Sequence, residues 1–134
     1  MRMDYDEEAE LSRYVWAHYA HHMTDFERSA NRAALGREKA AAADNPALAR
    51  MLAERWGREG EPEIDEALAL GAEQFRERAC RRALAEHGAV IIINRCPRCD
   101  RVLRTPAAKQ CFWCGHDWHG SGARPDPTRE PGNA

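Results

Sequence analysis

Four of the chain's five cysteines fall into two Cys-x-x-Cys pairs, Cys96/Cys99 and Cys111/Cys114, with eleven residues between the pairs. Such a pair closes a tight turn and aims both sulfurs at one point. Two pairs together supply the four soft ligands that a tetrahedral Zn2+ accepts. Iron suits the same set, because an all-sulfur tetrahedron fits both metals. The competing readings are two disulfides, free buried thiols or a redox dithiol, whereas one metal accounts for all four cysteines at once. Four thiolates leave no open coordination position, so the expected role of the metal is structural. A segment this small cannot bury enough apolar surface to fold alone. Metal binding, on the order of 10–16 kcal/mol in zinc-finger peptides, makes up the deficit.

Two further groupings could do chemistry. His18, His21 and His22 precede Asp25, and His18 and His22 are one helical turn apart. On a helix they could share a second metal with Asp25, which is the basis of a metal-dependent enzyme reading. No HExxH glutamate and no nucleophile accompanies them, and edge histidines satisfied by hydrogen bonds or water are commoner than ligands. The other grouping is basic: Arg95, Arg98, Arg101, Arg104 and Lys109, interleaved with Phe112, Trp113 and Trp118. Cations and aromatic faces together suit a nucleic acid. The bland alternative is solvated charge and packed rings. His116 and His119 are surplus donors beside a set that four cysteines complete, and Cys80 stands alone as a partly buried thiol.

The elements that must position the cysteines come next. The spacer RVLRT is β-prone and runs into Pro106. Gly115 follows the second pair and suits a positive φ, while Asp100 holds the matching place after the first. AVIIIN (89–94) is the clearest strand by β-branched content and enters the first pair without a linker. On these residues the segment resembles the zinc-ribbon (rubredoxin-like) class of four-cysteine modules, which implies a small β fold and a metal. It implies no function, since ribbons serve nucleic-acid, protein and purely structural roles. The departures are the short spacer and Asp100 in place of glycine. The stretches 95–99 and 105–119 also resemble a tail of uncharacterised bacterial proteins, and no activity follows from that.

Upstream, residues 4–43 place Tyr5, Ser12, Val15, Trp16, Tyr19, Met23, Phe26, Ala30 and Ala33 on one face, predicting a long amphipathic helix. That aromatic face is expected either in an internal core or as a partner or homodimer surface. A short helix over 45–57 follows, with Asp44 as N-cap ahead of Pro46. A third helix over 62–87 carries Ile64, Leu68, Ala72, Phe75, Ala79 and Ala83 as its stripe. Residues 120–134 are Gly/Pro-rich and read as a disordered tail. No internal repeat is evident.

The expected architecture is therefore α+β: a three-helix region over 1–88, a β zinc ribbon over 89–119 and the tail. No apolar run reaches membrane length and the start is acidic rather than signal-like, so a cytoplasmic location is expected. Residues 1–94 carry 13 Lys/Arg against 18 Asp/Glu, whereas 95–119 carry 5 against 2. The leading functional expectation is a zinc-binding, non-enzymatic protein-interaction module of adaptor, inhibitor or immunity type. The alternatives are a nucleic-acid-binding ribbon and the His18/His22/Asp25 enzyme.

Overall fold

The computed structural model describes residues 4–119, so the tail 120–134 lies outside the described residues. Asp6 starts the first helix, α1 (Glu7–His18), by accepting the Ala9 amide at 3.2 Å. Glu7, Glu8 and Glu10 follow in the first turn, where carboxylates favour the positive end of the helix dipole. The single helix expected over 4–43 is broken. A 3-10 turn, Ala20–His22, separates α1 from α2 (Asp25–Ala42). The break has a local cause in Thr24 and Glu27, which form a reciprocal capping box: Glu27 N donates to Thr24 Oγ1 at 3.0 Å, and Thr24 N donates to Glu27 Oε1 at 2.8 Å. The apolar stripe runs across the break because both helices face the same interior. Val15 and Met23 are buried in one cluster, Ala30 and Ala33 in another, and Trp16 packs against both.

Asn45, rather than Asp44, caps α3 (Pro46–Met51), accepting from the amides of Ala47 and Leu48. The chain continues as a π-helical turn, Leu52–Trp56, that lies across α2 at Gly36. The third expected helix is also divided, into α4 (Pro62–Ala67) and α5 (Ala72–His87), with Gly71 at φ 99° between them. Glycine tolerates that conformation without steric cost. Among the described residues five α-helices therefore stand where three were expected. Ion pairs tie them together: Arg82 meets Glu27 at 2.7 and 2.8 Å, and Arg76 meets Glu38 at 2.8 Å while donating a hydrogen bond to Asn31 Oδ1 at 2.6 Å.

The β half of the α+β expectation is overturned. Among the described residues there is no β-strand, only two isolated antiparallel bridges, Arg95–Val102 and Gln110–Asp117. The fold is helical, with a strandless cysteine segment at its end. Residues 88–90 turn off the end of α5, and 91–94, without regular structure, pair their backbone with side chains. Ile92 O accepts from Tyr14 OH at 2.7 Å and from Tyr19 OH at 3.4 Å. Ile92 N donates to Tyr19 OH at 3.3 Å, and Asn94 N donates to Tyr14 OH at 3.2 Å. With these backbone groups satisfied by tyrosines, the segment needs no ladder partner. Ile91 and Val102 complete the core around Tyr14, Val15, Ala79 and Ala83, so the cysteine segment and the helices share one interior.

Candidate metal centre

Each Cys-x-x-Cys pair sits in a turn closed by the same backbone bonds. In the first, Asp100 N donates to Cys96 O at 2.8 Å, Cys96 N to Arg101 O at 3.0 Å and Leu103 N to Asn94 O at 2.9 Å. In the second, Gly115 N donates to Cys111 O at 2.9 Å, Cys111 N to His116 O at 2.7 Å and Trp118 N to Lys109 O at 3.0 Å. The two turns are one backbone motif used twice, fifteen residues apart, although the sequence shows no repeat. Asp100 (φ 65°) and Gly115 (φ 80°) occupy its left-handed position, as their places after each pair predict.

The turns bring four sulfurs together. Cys96 Sγ lies 3.7 Å from Cys114 Sγ and Cys99 Sγ lies 3.6 Å from Cys111 Sγ, with all four ligand atoms within 4.8 Å of one another. A tetrahedron with metal–sulfur bonds of about 2.3 Å has edges of about 3.8 Å. A disulfide would need about 2.05 Å, and the cysteines are free thiols. The arrangement fits one metal ion. Backbone amides support it: Arg98 N and Cys99 N point at Cys96 Sγ at 3.3 and 3.5 Å, and Cys114 N points at Cys111 Sγ at 3.4 Å. Burial pushes the Cys96 thiol up, but the amides of Cys99 and Arg98 outweigh it and bring it down to about 7. Burial pushes Cys99 up, and the neighbouring thiols add to the rise. Four sulfurs this close cannot all ionise unaided, and a bound cation, which takes each as thiolate, removes that conflict.

Cys96 and Cys111 are buried, Cys99 is half-buried and Cys114 is exposed. Trp113, Trp118 and Leu103 pack around the inner sulfurs. The N-terminal segment covers this cluster. Tyr5 sets its ring edge against Trp113 at 5.1 Å, accepts the Val102 amide at 3.0 Å and donates to Glu7. Arg95 pairs with Glu7 at 2.5 Å and bonds Asp100 O at 2.8 Å. That bond to Arg95 holds the Glu7 carboxyl below its usual range. Asn94, buried, donates its amide to Thr105 O and Ala108 O, each at 3.0 Å, and so fixes the loop between the turns. Tyr5, Glu7, Tyr14 and Asn94 thus position the site, and sequence reasoning did not assign them to it. For Tyr5, Glu7 and Tyr14 the signal was weak, because it consists of contacts across 78 to 97 residues.

The other sequence candidates are dispersed. His18 ends α1 and its Nε2 lies 3.1 Å from Arg104 O. His22 is in the 3-10 turn, stacked on His87 at 4.6 Å, and Asp25 opens α2 paired with Arg28. Among the described residues the four-cysteine group is the only one of three or more metal-ligating side chains that converge. His116 stacks on Trp118 and His119 pairs with Asp117, outside the sulfur group. Of the five basic residues, Arg95 is committed to Glu7, and Arg101 lies over the rings of Tyr5 and Trp113. Arg104 lies over exposed Phe112 at 4.2 Å, and Arg98 is exposed. Cys80 is buried and its thiol is pushed up to about 11 by burial, the setting of an inert structural cysteine. No helix among the described residues is long and apolar enough to cross a membrane. Comparisons with protein-family models, with curated proteins and with solved structures return no match, so the chemistry is read from the four sulfurs and their surroundings.

Proposed function

We propose that the protein is a cytoplasmic, non-enzymatic protein-interaction module of adaptor, inhibitor or immunity type. One structural Zn2+ on Cys96, Cys99, Cys111 and Cys114 staples its C-terminal segment to the helices. The observation that carries this reading is the convergence of four free sulfurs at tetrahedral spacing in a cluster that Tyr5, just ahead of α1, packs against. A complete thiolate set holds a metal without offering it to a substrate. Its stabilisation reaches the helices, since Val102 leaves the first cysteine turn to enter the core beside Tyr14 and Val15. Free cysteines at metal spacing suit a reducing compartment.

The test is native mass spectrometry of protein purified without added metal, joined to thermal unfolding with and without a zinc chelator. One zinc per chain is expected. Its removal should lower the unfolding temperature of the helices together with the cysteine segment, because the two share a core. Reduced protein without metal, or a helical transition indifferent to the chelator, overturns the staple. A second metal equivalent lost in His22→Ala would instead favour the enzyme alternative.

A further inference from the structure

The aromatic face of α1 and α2 is largely consumed inside the molecule, and the exposed apolar surface lies elsewhere. Leu35 on α2, Leu48 and Met51 on α3, and Trp56 at the end of the π-helical turn all face solvent, and Trp56 is 61% exposed. Between α2 and the π turn runs an open groove of about 270 Å3, lined by Arg32, Leu35, Gly36, Lys39, Leu52 and Trp56. Gly36 makes the groove possible: its missing Cβ lets the backbone of Trp56 and Gly57 rest directly on α2. π-helical turns recur at functional positions.

The charges around this groove differ from those on the rest of the helical body. Seven arginines of the helical body, Arg13, Arg28, Arg37, Arg58, Arg76, Arg81 and Arg82, are ion-paired with carboxylates, and Arg78 bonds the Ala67 carbonyl. Arg32, Lys39, Arg50 and Arg55 have no ion-pair or hydrogen-bond partner among the described residues, and all four lie on α2, α3 or the π turn. Two of them line the groove, and no carboxylate does; Glu54, on the same turn, is not part of its wall. On the helical body eight of the twelve described cations have a partner, and the four without one lie on the segments around exposed Trp56.

We propose that this groove docks an acidic amphipathic helix of a partner protein, one large apolar side chain entering beside Trp56 and carboxylates meeting Arg32 and Lys39. The spacing sets the register. Arg32 and Lys39 are seven residues apart, about 10.5 Å along α2. A partner helix therefore carries its carboxylates two turns apart, with the apolar anchor at the third or fourth position between them. A second copy of this chain is a poor occupant, because a two-fold contact would set the four cations against themselves. Nucleic acid is disfavoured too. The groove wall is apolar apart from its two cations, which suits an apolar anchor side chain and offers no continuous track for a phosphate backbone.

The inference deepens the interaction-module reading and is tested apart from it, on metal-loaded full-length chain. The probe is a labelled helical peptide of about four turns with Glu at i and i+7 and Leu at i+3 and i+4. A matched peptide carries Lys in place of Glu, and a single-stranded oligonucleotide is run in parallel; fluorescence anisotropy is the readout. The Glu peptide should bind saturably and the Lys peptide should not. Trp56→Ala should weaken binding about 30-fold, as removal of an interface anchor does. Arg32→Glu with Lys39→Glu should abolish binding of the Glu peptide and confer binding of the Lys peptide, a swap that a misfolded variant cannot produce. Equal binding of both peptides, binding indifferent to the charge swap, or no binding overturns the proposal. So do preferential oligonucleotide binding lost in Trp56→Ala and a dimer dissociated by that substitution. None of these results touches the zinc staple, which stands or falls on metal content.

Discussion

Replacing Gly36 with alanine sets two opposed effects against each other at the crossing of α2 and the π-helical turn. In an ordinary helix interior, Gly→Ala stabilises by roughly 0.5–1 kcal/mol, because glycine loses more backbone entropy on folding. At this crossing an added Cβ would lie 2.6 Å from the Trp56 carbonyl carbon, 2.7 Å from the Gly57 nitrogen and 2.9 Å from Trp56 Cβ. All three are backbone atoms or a Cβ, so no side-chain rotation relieves the contact and the turn itself must move. Overpacking of this kind costs about 1–3 kcal/mol, with the upper part of the range expected where backbone shifts. The shift would also disturb Arg37, which reaches from α2 to Gly57 O at 2.7 Å. Packing therefore outweighs propensity. Gly36→Ala should destabilise the protein by about 1–2 kcal/mol, lowering the unfolding temperature by roughly 4–8 °C. Urea unfolding followed by circular dichroism and tryptophan fluorescence measures this, beside Ala41→Gly on the exposed face of the same helix. Helix propensity alone moves the two variants in opposite directions, whereas the crossing moves both down. A Gly36→Ala midpoint at or above the parent's refutes the close approach, and with it the wall of the proposed groove.

Three other expectations are quicker to test. Tyr14→Phe removes the hydroxyl that bonds Ile92 O and Asn94 N, and loss of these buried bonds should cost about 1–3 kcal/mol in urea unfolding. Tyr19→Phe should cost less, since its bonds to Ile92 are long and exposed. Asp100→Gly relieves a left-handed residue and should stabilise by up to about 1 kcal/mol, while Gly115→Ala should lose a similar amount; equal midpoints for all three proteins would contradict the geometry of the turns. On acidification, burial raises the Glu27 carboxyl but its bonds with Arg82 and Thr24 prevail, holding it below the reference value of 4.5. The unfolded chain then binds the proton first. Stability should be full above pH 4.5, fall as pH drops toward the lowered folded value, and fall less steeply in Glu27→Gln. His22 acts in the same direction at higher pH: burial, then repulsion from His21 and His87, holds its pKa below 6.5, so its contribution is lost as pH falls below 6.5 and is absent from His22→Gln.

The four-cysteine cluster was legible because its information is local. Two short spacings specify two turns, and the positive-φ positions after them follow from the same spacing. Helix content was legible too, but helix ends were not. The capping box of Thr24 and Glu27 and the Gly71 turn are local signals that a continuous apolar stripe overrode, since residues on both sides of each break face one interior. Periodicity reports which side is buried, and it is blind to a chain that stops and restarts against the same core.

The missing strand has a different cause. Val90, Ile91, Ile92 and Ile93 have the β-branched composition of a sheet, and sheet propensity measures how well such side chains fit a half-buried extended surface. It does not name the partner of the backbone. Here that partner is α1 with its C-cap: Tyr14 on the helix and Tyr19 directly after its end both bring their hydroxyls to Ile92. Two phenols do for this segment what a neighbouring strand would have done, and they deliver it to Asn94, where the first cysteine turn begins. The strand expected over 89–94 is not formed, and residues 88–90 instead turn off the end of α5. The inference from extended to β failed because a hydroxyl can both donate and accept, so a helix bearing tyrosines can replace a ladder.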